Sequence, residues 1–287
     1  QGAPGTDWAV NKESDSDHTI KFEYSANSVA DAIKLFNVDV SGTNPVLNSN
    51  ANYAARELYK TITKDENWKP TLPPAELKNH TTEEFKDKQG RVVLKRTYGA
   101  SKVNGTLQQS VAHDTYYVYD DYGNLTFVLP PKMNASTNSI VTIRNLLNDL
   151  GYQYKYDERN RLVEKRIPGK DKELIIYDNL DRPVLTQDAN LRAHNKWLFT
   201  KYDILGRVTY TGVFTTTTQS ESSLRTLFKN KSAQDNYEEK VSSGTGYQDS
   251  YYTNTDFPNT GIELLTINYY DNYTFNKAGL SVPSSSI

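Results

Sequence analysis

The segment KYDILGRV, residues 201–208, contains the pattern that decides the fold. Tyr-Asp is followed by two free positions, by a residue suited to a turn, usually by Arg, and then by an apolar residue. Four further copies occupy residues 86–92, 119–125, 156–162 and 177–183. The first of these has Lys86 in place of the tyrosine, and a partial copy at Tyr270-Asp271 departs from the pattern at Thr274. The centre of the chain is therefore built from repeats.

Each copy predicts the turn of a β-hairpin. An aspartate at the end of a strand accepts a hydrogen bond from a backbone N–H two residues later, which starts a turn. Three residues after the aspartate, a short hairpin loop with a bulge needs a positive φ, which suits Gly best and then Asn or Asp. Gly, Asn and Asp make up 62 of the 287 residues. Five such residues at five positions would arise by chance about once in 2,000 sequences.

The candidate structural residues are the members of these five turns. The tyrosines are Tyr119, Tyr156, Tyr177 and Tyr202. The turn-starting aspartates are Asp87, Asp120, Asp157, Asp178 and Asp203. The positions that need a positive φ hold Gly90, Gly123, Asn160, Asp181 and Gly206. The arginines that follow are Arg91, Arg161, Arg182 and Arg207.

The flanks of the turns alternate in the manner of strands, as in Tyr152-Gln153-Tyr154-Lys155-Tyr156. The aspartates are separated by 33, 37, 21 and 25 residues, so the two long intervals must hold insertions. We expect one insertion as a loop at 102–109. The other should contain a short helix, because apolar residues recur at helical spacing from Ile140 to Leu150, with a cap before them and Gly151 after them.

The sequence predicts four segments in one structural unit: an irregular or β lead-in at 1–80, a hairpin block at 81–213, an inserted excursion at 214–261, and a returning strand with a truncated end at 262–287. The lead-in contains a helix or strand at 30–36, a strand at 57–63 and a connector at 70–74. The excursion contains a candidate helix at 222–232. We predict an all-β fold with a few short helices, in a curved antiparallel sheet of hairpins.

Composition narrows the possible functions. The 33 basic and 35 acidic residues nearly balance, without a basic stripe, which argues against nucleic acid and anionic membranes as partners. The chain has no cysteine, so disulfides, thiolate metal sites and a cysteine nucleophile are excluded. No apolar run reaches the ~20 residues of a membrane span, and no signal peptide is visible at the start. Apolar residues are few and tyrosines number 21. This composition predicts a thin or shared core and sheets whose faces are partly exposed to water.

The Tyr-Asp-x-x-Gly-Arg repeats resemble those of Rhs/YD-repeat proteins, and the segments 119–132, 152–169, 196–213 and 257–275 resemble one bacterial branch of that family. The resemblance implies that the chain is a fragment of a much longer protein, with both ends inside it. It implies a hollow cocoon of antiparallel hairpins that encloses a C-terminal toxin or effector domain, in a secreted or surface-exposed protein of bacterial competition. The partners so implied are the remainder of the parent chain, the enclosed domain, and secretion-system or immunity proteins. The aspartates of the family's self-cleaving region have no match here.

The sequence offers little support for a catalytic or metal-binding site. The histidines His18, His80, His113 and His194 form no close metal-ligand pair, and His113-Asp114 is a weak candidate for a base with its orienting acid. Glu83-Glu84 fits a charged turn better than a pair of glycosidase carboxylates. The turn aspartates lack the alternating acids of a calcium loop. We therefore expect no enzyme activity, no metal and no cofactor.

Three classes of function follow: a structural shell segment first, a glycan- or protein-binding module at a cell surface second, and an enzyme last. The aromatic stripes keep the second class open, since tyrosines that pack strands can also stack on sugars.

Overall fold

A computed structural model describes residues 19–103, 105–232, 236–241 and 246–271 of the protein. The predicted all-β class is confirmed, because strands dominate these residues and the α-helices are short. The strands are β1 (Lys21–Ala26), β2 (Lys34–Asp39), β3 (Val46–Asn52), β4 (Tyr59–Lys64), β5 (Thr81–Lys86), β6 (Val92–Val103), β7 (Thr106–Tyr119), β8 (Leu125–Leu129), β9 (Tyr152–Tyr156), β10 (Leu162–Arg166), β11 (Glu173–Tyr177), β12 (Pro183–Gln187), β13 (Lys196–Tyr202), β14 (Val208–Thr215) and β15 (Ile262–Ile267). The α-helices are α1 (Ile140–Leu150), α2 (Ala189–Ala193) and α3 (Glu221–Asn230).

These elements group into two compact units. The first contains the residues up to Arg161 together with Arg166–Gly169, and the second contains Leu162–Lys165 together with the residues from Lys170 onward. The predicted hairpin block at 81–213 is thus shared between the units, where the sequence predicted one structural unit. Each unit has its own hydrophobic core.

The strands of the first unit form an antiparallel ladder in the order β1-β4-β5-β6-β7-β8-β9, and β2 pairs with β3 in a separate hairpin. One face of the ladder buries Phe85, Leu94 and Tyr116. The β2–β3 hairpin and α1 cover that face, with the ring of Phe36 set edge-on to Tyr116 at 5.0 Å. The aromatic and aliphatic contacts give this unit a dry core in spite of the low apolar content.

The second unit repeats this plan in the order β10-β11-β12-β13-β14-β15. Helix α3 covers the sheet with Leu224 and Phe228, and its Arg225 donates hydrogen bonds to backbone carbonyls of β10 and β11. The segment 250–257 adds Tyr252 to the same core. Helices were predicted at 140–150 and 222–232, so the two covering layers were partly predictable.

The predicted helix beside the sheet is confirmed as α1, with the Ser139 hydroxyl accepting a hydrogen bond from the Thr142 N–H. The candidate helix at 222–232 is α3. One expectation was wrong. The insertion at 102–109 is no loop, because β6 and β7 continue as paired strands to Val103 and Thr106. In the lead-in, the strand predicted at 57–63 is confirmed as β4, and the helix or strand predicted at 30–36 overlaps β2. The lead-in also contains β1 and β3, which were not predicted.

The predicted end of the partial repeat and of the chain, residues 272–287, lies outside the described residues, as do residues 1–18 with His18. Across the described ranges, we find no helix with both the length and the apolar character needed to cross a membrane.

Candidate functional site: a ladder of linked turns

The turn at Asp203 illustrates the geometry of the repeats. The Asp203 N–H donates to the carbonyl of Arg207 at 2.9 Å, and the Gly206 N–H donates back to the carbonyl of Asp203 at 2.9 Å. One side-chain oxygen, Oδ1, accepts from the N–H groups of Leu205 (3.0 Å) and Arg207 (2.8 Å). The other, Oδ2, accepts from Nε of Arg207 at 2.7 Å. A single carboxylate therefore closes the loop from both sides.

The same bonds recur in every copy. In all five turns the aspartate Oδ1 accepts from the backbone N–H groups two and four residues later. The positive φ predicted at the fourth position is found at Gly90 (81°), Gly123 (87°), Asn160 (57°), Asp181 (63°) and Gly206 (77°). In the hairpins β5–β6, β7–β8, β11–β12 and β13–β14, the register shifts by one residue directly before the aspartate. Each turn is thus a short loop with a bulge.

The arginine of the repeat donates a further hydrogen bond to the turn aspartate. Its Nε lies 2.7–2.8 Å from Oδ2 of the aspartate in the four turns that have one, and Asn124 takes this place in the remaining turn at 3.0 Å. Burial opposes ionisation of Asp157, but hydrogen bonds from the Arg161 side chain and from backbone N–H groups outweigh it and lower the pKa of Asp157. The Asp157 carboxylate is therefore ionised at neutral pH and held in place by Arg161.

The tyrosines link each turn to the one before it. The Tyr202 hydroxyl donates to the carbonyl of Pro183, the residue that follows Arg182 in the previous copy, at 2.7 Å. Equivalent bonds of 2.9–3.2 Å join Tyr119 to Val92, Tyr156 to Leu125, Tyr177 to Leu162, and Tyr270 to Val208. Burial raises the pKa of Tyr202, so its hydroxyl keeps its proton at neutral pH.

The arginines reinforce this link from the other side. The guanidinium of Arg182 lies 4.4 Å from the ring centre of Tyr202, and that of Arg207 lies 4.4 Å from the ring centre of Tyr270. These distances fit a cation–π contact. Arg207 also pairs with Asp271 at 2.8 Å, so the partial copy at Tyr270-Asp271 completes the last described turn. We call these linked turns, Asp87 to Asp157 in the first unit and Asp178 to Asp271 in the second, the turn ladder.

In the five repeat turns of the turn ladder, the carboxylates are occupied by hydrogen bonds within their own turns. Each turn carboxylate accepts two backbone hydrogen bonds and one side-chain hydrogen bond, which leaves little capacity for a ligand. In the part of the chain that the structure describes, no three His, Asp or Glu side chains come together as a metal site requires.

The fold separates the side chains of the two remaining candidate pairs, His113-Asp114 and Glu83-Glu84. Asp114 forms a two-bond ion pair with Arg96 at 2.6 and 2.8 Å, on a different face of β7 from His113, so it does not orient the imidazole. Glu83 and Glu84 lie inside β5 and not in a turn, on opposite faces of that strand. Glu83 is buried and accepts a hydrogen bond from Tyr98 at 3.1 Å. In both pairs, the two side chains lie on opposite faces of their strand.

Sequence reasoning missed one cluster, around Lys201 in β13. Trp197, Phe199 and Lys201 are alternate residues of the strand and are all buried. The signal in the sequence was that Lys201 alternates with Trp197 and Phe199. Strand alternation places residues at this spacing on the same face, which here is the core face. Its partners come from residues 238–256, far along the chain, and no local pattern identifies them.

Comparisons with known proteins give a limited result. No family model matches the chain, and no curated protein matches it. Among solved structures, the crystal structure of TcdB2-TccC3 is similar at 18% identity over 56% of this chain, with a TM-score of 0.41. The Photorhabdus luminescens Tc holotoxin pore carrying the TccC3 mutation D651A is similar at 12% identity over 86% of this chain, with a TM-score of 0.40. The chain spans 7% and 13% of the lengths of those two chains.

Proposed function

We propose that the chain is a non-catalytic wall segment of an Rhs/YD-repeat shell, which encloses and delivers a C-terminal toxin or effector domain in a secreted or surface-exposed protein. On this proposal its partners are the rest of its own parent chain and the enclosed domain. The observation that carries the proposal is the turn ladder, in which each turn is completed by the tyrosine of the next copy.

The turn ladder suits the wall of a shell because each further Tyr-Asp copy can bond to the copy before it. A Tyr-Asp copy supplies a hydroxyl to the previous copy and offers its own arginine and carbonyl to the following one, as Arg207 and Val208 do for Tyr270. Repeats joined only to their neighbours stack without limit, and their stability grows with each interface. Strips of this kind can reach the length that an enclosure needs.

The free edge of the first unit supports the same proposal. Among the described strands, β1 pairs with β4 alone, so its outer N–H and C=O groups face away from the ladder. Phe22 and Tyr24 on this strand are 56% and 77% exposed. An edge strand with large exposed aromatic residues is a template for pairing with another segment of chain.

Sedimentation velocity over a range of concentrations tests this proposal. We expect the purified chain to self-associate through β1, and Tyr24→Lys to weaken the association because an edge lysine opposes strand pairing. Tyr122→Lys is the matched control, since Tyr122 is similarly exposed but lies in a turn. A chain that stays monomeric at every concentration would contradict the proposal.

A second candidate, a glycan-binding surface module, is favoured by one observation. An open cleft of about 430 Å³ is lined by Thr63, Asp65, Asn79, His80, Thr97 and Tyr98, together with further residues of β5 and β6. Hydroxyl, amide and carboxylate groups beside an aromatic ring suit sugar hydroxyls. Binding on a glycan array that Thr97→Val abolishes and Tyr122→Lys preserves would promote this function over the shell.

A further inference from the structure

Lys201 is a fully buried amine in the core of the second unit. It lies on β13 across from Tyr210 of β14, on the face that also buries Phe199. The rings of Tyr210 and Tyr252 pack edge-on at 6.0 Å, and those of Phe214 and Phe257 at 5.2 Å. The Lys201 side chain is therefore fully buried on a face of the sheet that carries buried aromatic residues.

Three oxygens surround the Lys201 Nζ atom. It lies 2.7 Å from Oε1 of Glu238 and 2.7 Å from the backbone carbonyl of Asp256, and it is in hydrogen-bond contact with Oδ1 of Asn254. The amine thus touches the side-chain amide of one residue and the carboxyl group of another. Glu238 is as deeply buried as the lysine.

Glu238 is held in a fixed position. It accepts hydrogen bonds from the Thr253 hydroxyl at 2.7 Å and from the backbone N–H groups of Thr255 and Asp256 at 2.9 and 3.1 Å. The same segment carries Asn254, so the carboxyl group and the side-chain amide are positioned together. The Asn254 Nδ2 donates to the carbonyl of Asn259 at 2.9 Å, which sets the orientation of that amide.

Burial favours the neutral form of the Lys201 amine. It lowers the pKa of Lys201 from its ordinary value, although the nearby charge of Glu238 acts in the opposite sense. A buried ion pair can become neutral by moving one proton from the ammonium to the carboxylate, which removes two charges from a low-dielectric site. A neutral lysine is a nucleophile, and a positioned carboxyl group can transfer protons during its reaction.

We propose that Lys201 and Asn254 form an intramolecular isopeptide bond, with Glu238 as the proton-transfer group. The bond would join β13 covalently to the segment that covers it. The proposal rests on the contacts of Lys201 Nζ with both the side-chain amide of Asn254 and the carboxyl group of Glu238, in a buried aromatic setting.

The reaction balances without an added reagent. The Lys201 ammonium gives a proton to Glu238, and the neutral Nζ attacks Cγ of Asn254 to form a C–N bond. Glu238 supplies its proton to the departing Nδ2 and then takes a proton from the attacking nitrogen. The C–Nδ2 bond breaks, ammonia leaves as ammonium with the remaining proton, and Glu238 returns to a carboxylate. The products are one secondary amide and one ammonium ion.

Peptide mapping of the purified protein by mass spectrometry tests the proposal. The isopeptide bond blocks trypsin at Lys201, so residues 197–207 should stay joined to residues 241–277 in one branched peptide. Its mass should be lower by one ammonia than the sum of the two separate peptides. Fragmentation should place the branch at Lys201 and Asn254.

Three variants identify the groups that are needed. Lys201→Met and Glu238→Ala should abolish the branched peptide, because they remove the nucleophile and the proton-transfer group. Lys172→Met is the control, since Lys172 is an amine of the same unit that pairs with Glu164 outside this cluster, and it should leave the branch intact. Complete tryptic cleavage after Lys201 in the wild-type protein would overturn the proposal, even if a variant failed to fold, and would leave the cluster as an ion pair only.

Discussion

The protein uses oppositely charged side chains in two different ways. In the turn ladder, Arg207 and Asp203 are four residues apart, and the arginine is partly exposed. In the core of the second unit, Lys201 and Glu238 are 37 residues apart, and both side chains are fully buried. The first arrangement is local and repeated, and the second is assembled by the tertiary fold.

The comparison indicates how strongly the stability of the fold depends on each kind of ion pair. A turn carboxylate replaces bonds to water with bonds to adjacent N–H groups, so the net gain for each bond is modest. A buried pair gives up hydration completely and is tolerated only when every polar atom has a partner. The Lys201 cluster should therefore be far more sensitive to removal of one member than any single turn.

The largest effect is expected at Glu238. Glu238→Ala leaves the Lys201 ammonium buried without its partner, which should lower the free energy of unfolding by about 3–5 kcal/mol. Glu164→Ala breaks the partly exposed pair of Glu164 with Lys172 and should cost less than about 1 kcal/mol. Chemical denaturation of both variants checks this. Equal losses would contradict the distinction between buried and local pairs.

The next effect concerns one turn aspartate. Asp203→Ala leaves two backbone N–H groups and the Nε of Arg207 without their acceptor and should cost about 2–3 kcal/mol. Asp203→Asn keeps an acceptor for the backbone and should cost less. The exposed Asp121 provides a control, since Asp121→Ala should change stability by no more than about 0.5 kcal/mol. If Asp203→Ala is as mild as the control in denaturant titrations, the carboxylate does not hold the turn.

A smaller effect should follow from backbone conformation. Gly206 has a φ of 77°, and Gly206→Val should cost about 1–3 kcal/mol because β-branched residues tolerate this region poorly. Ile204 is 72% exposed in the same turn, so Ile204→Val should leave the melting temperature nearly unchanged. Equal melting shifts for the two variants would argue against the bulged turn.

The bond between neighbouring turns should be weaker again. Tyr202→Phe removes only the hydroxyl that donates to the Pro183 carbonyl and should cost about 1 kcal/mol. Tyr122→Phe, at a side chain that is 74% exposed, should have no measurable effect. A null result for Tyr202→Phe by thermal and chemical unfolding would show that packing and not the hydroxyl connects the copies.

The smallest effect concerns pH. The pKa of Asp157 is lower in the folded protein than in the unfolded chain, so its contribution to stability is present above the unfolded value of about 3.9. It should be lost as the pH falls through the lowered folded value. Unfolding measured from pH 7 to pH 2 should give a shallower acid decline for Asp157→Asn than for the wild-type protein. An unchanged slope would contradict ionic support of this turn.

Local chemistry explains which features the sequence predicted. The turn at Asp157 and the helix at Ile140 depend on residues within a few positions of one another, so their patterns were visible. The hydroxyl of Tyr202 reaches Pro183 only after two hairpins have paired, and Glu238 reaches Lys201 only through tertiary folding. The strand β1 of the lead-in was missed because its residues, nearly all exposed, show little apolar alternation.

Electron microscopy of the intact parent protein tests the central claim most directly. The account predicts that the hairpins of this chain form part of a wall around an enclosed space, with the outer edge of β1 paired to a flanking segment of the parent chain. A compact domain with both edges covered by its own loops, tethered outside any shell, would contradict the account and favour the surface-binding function.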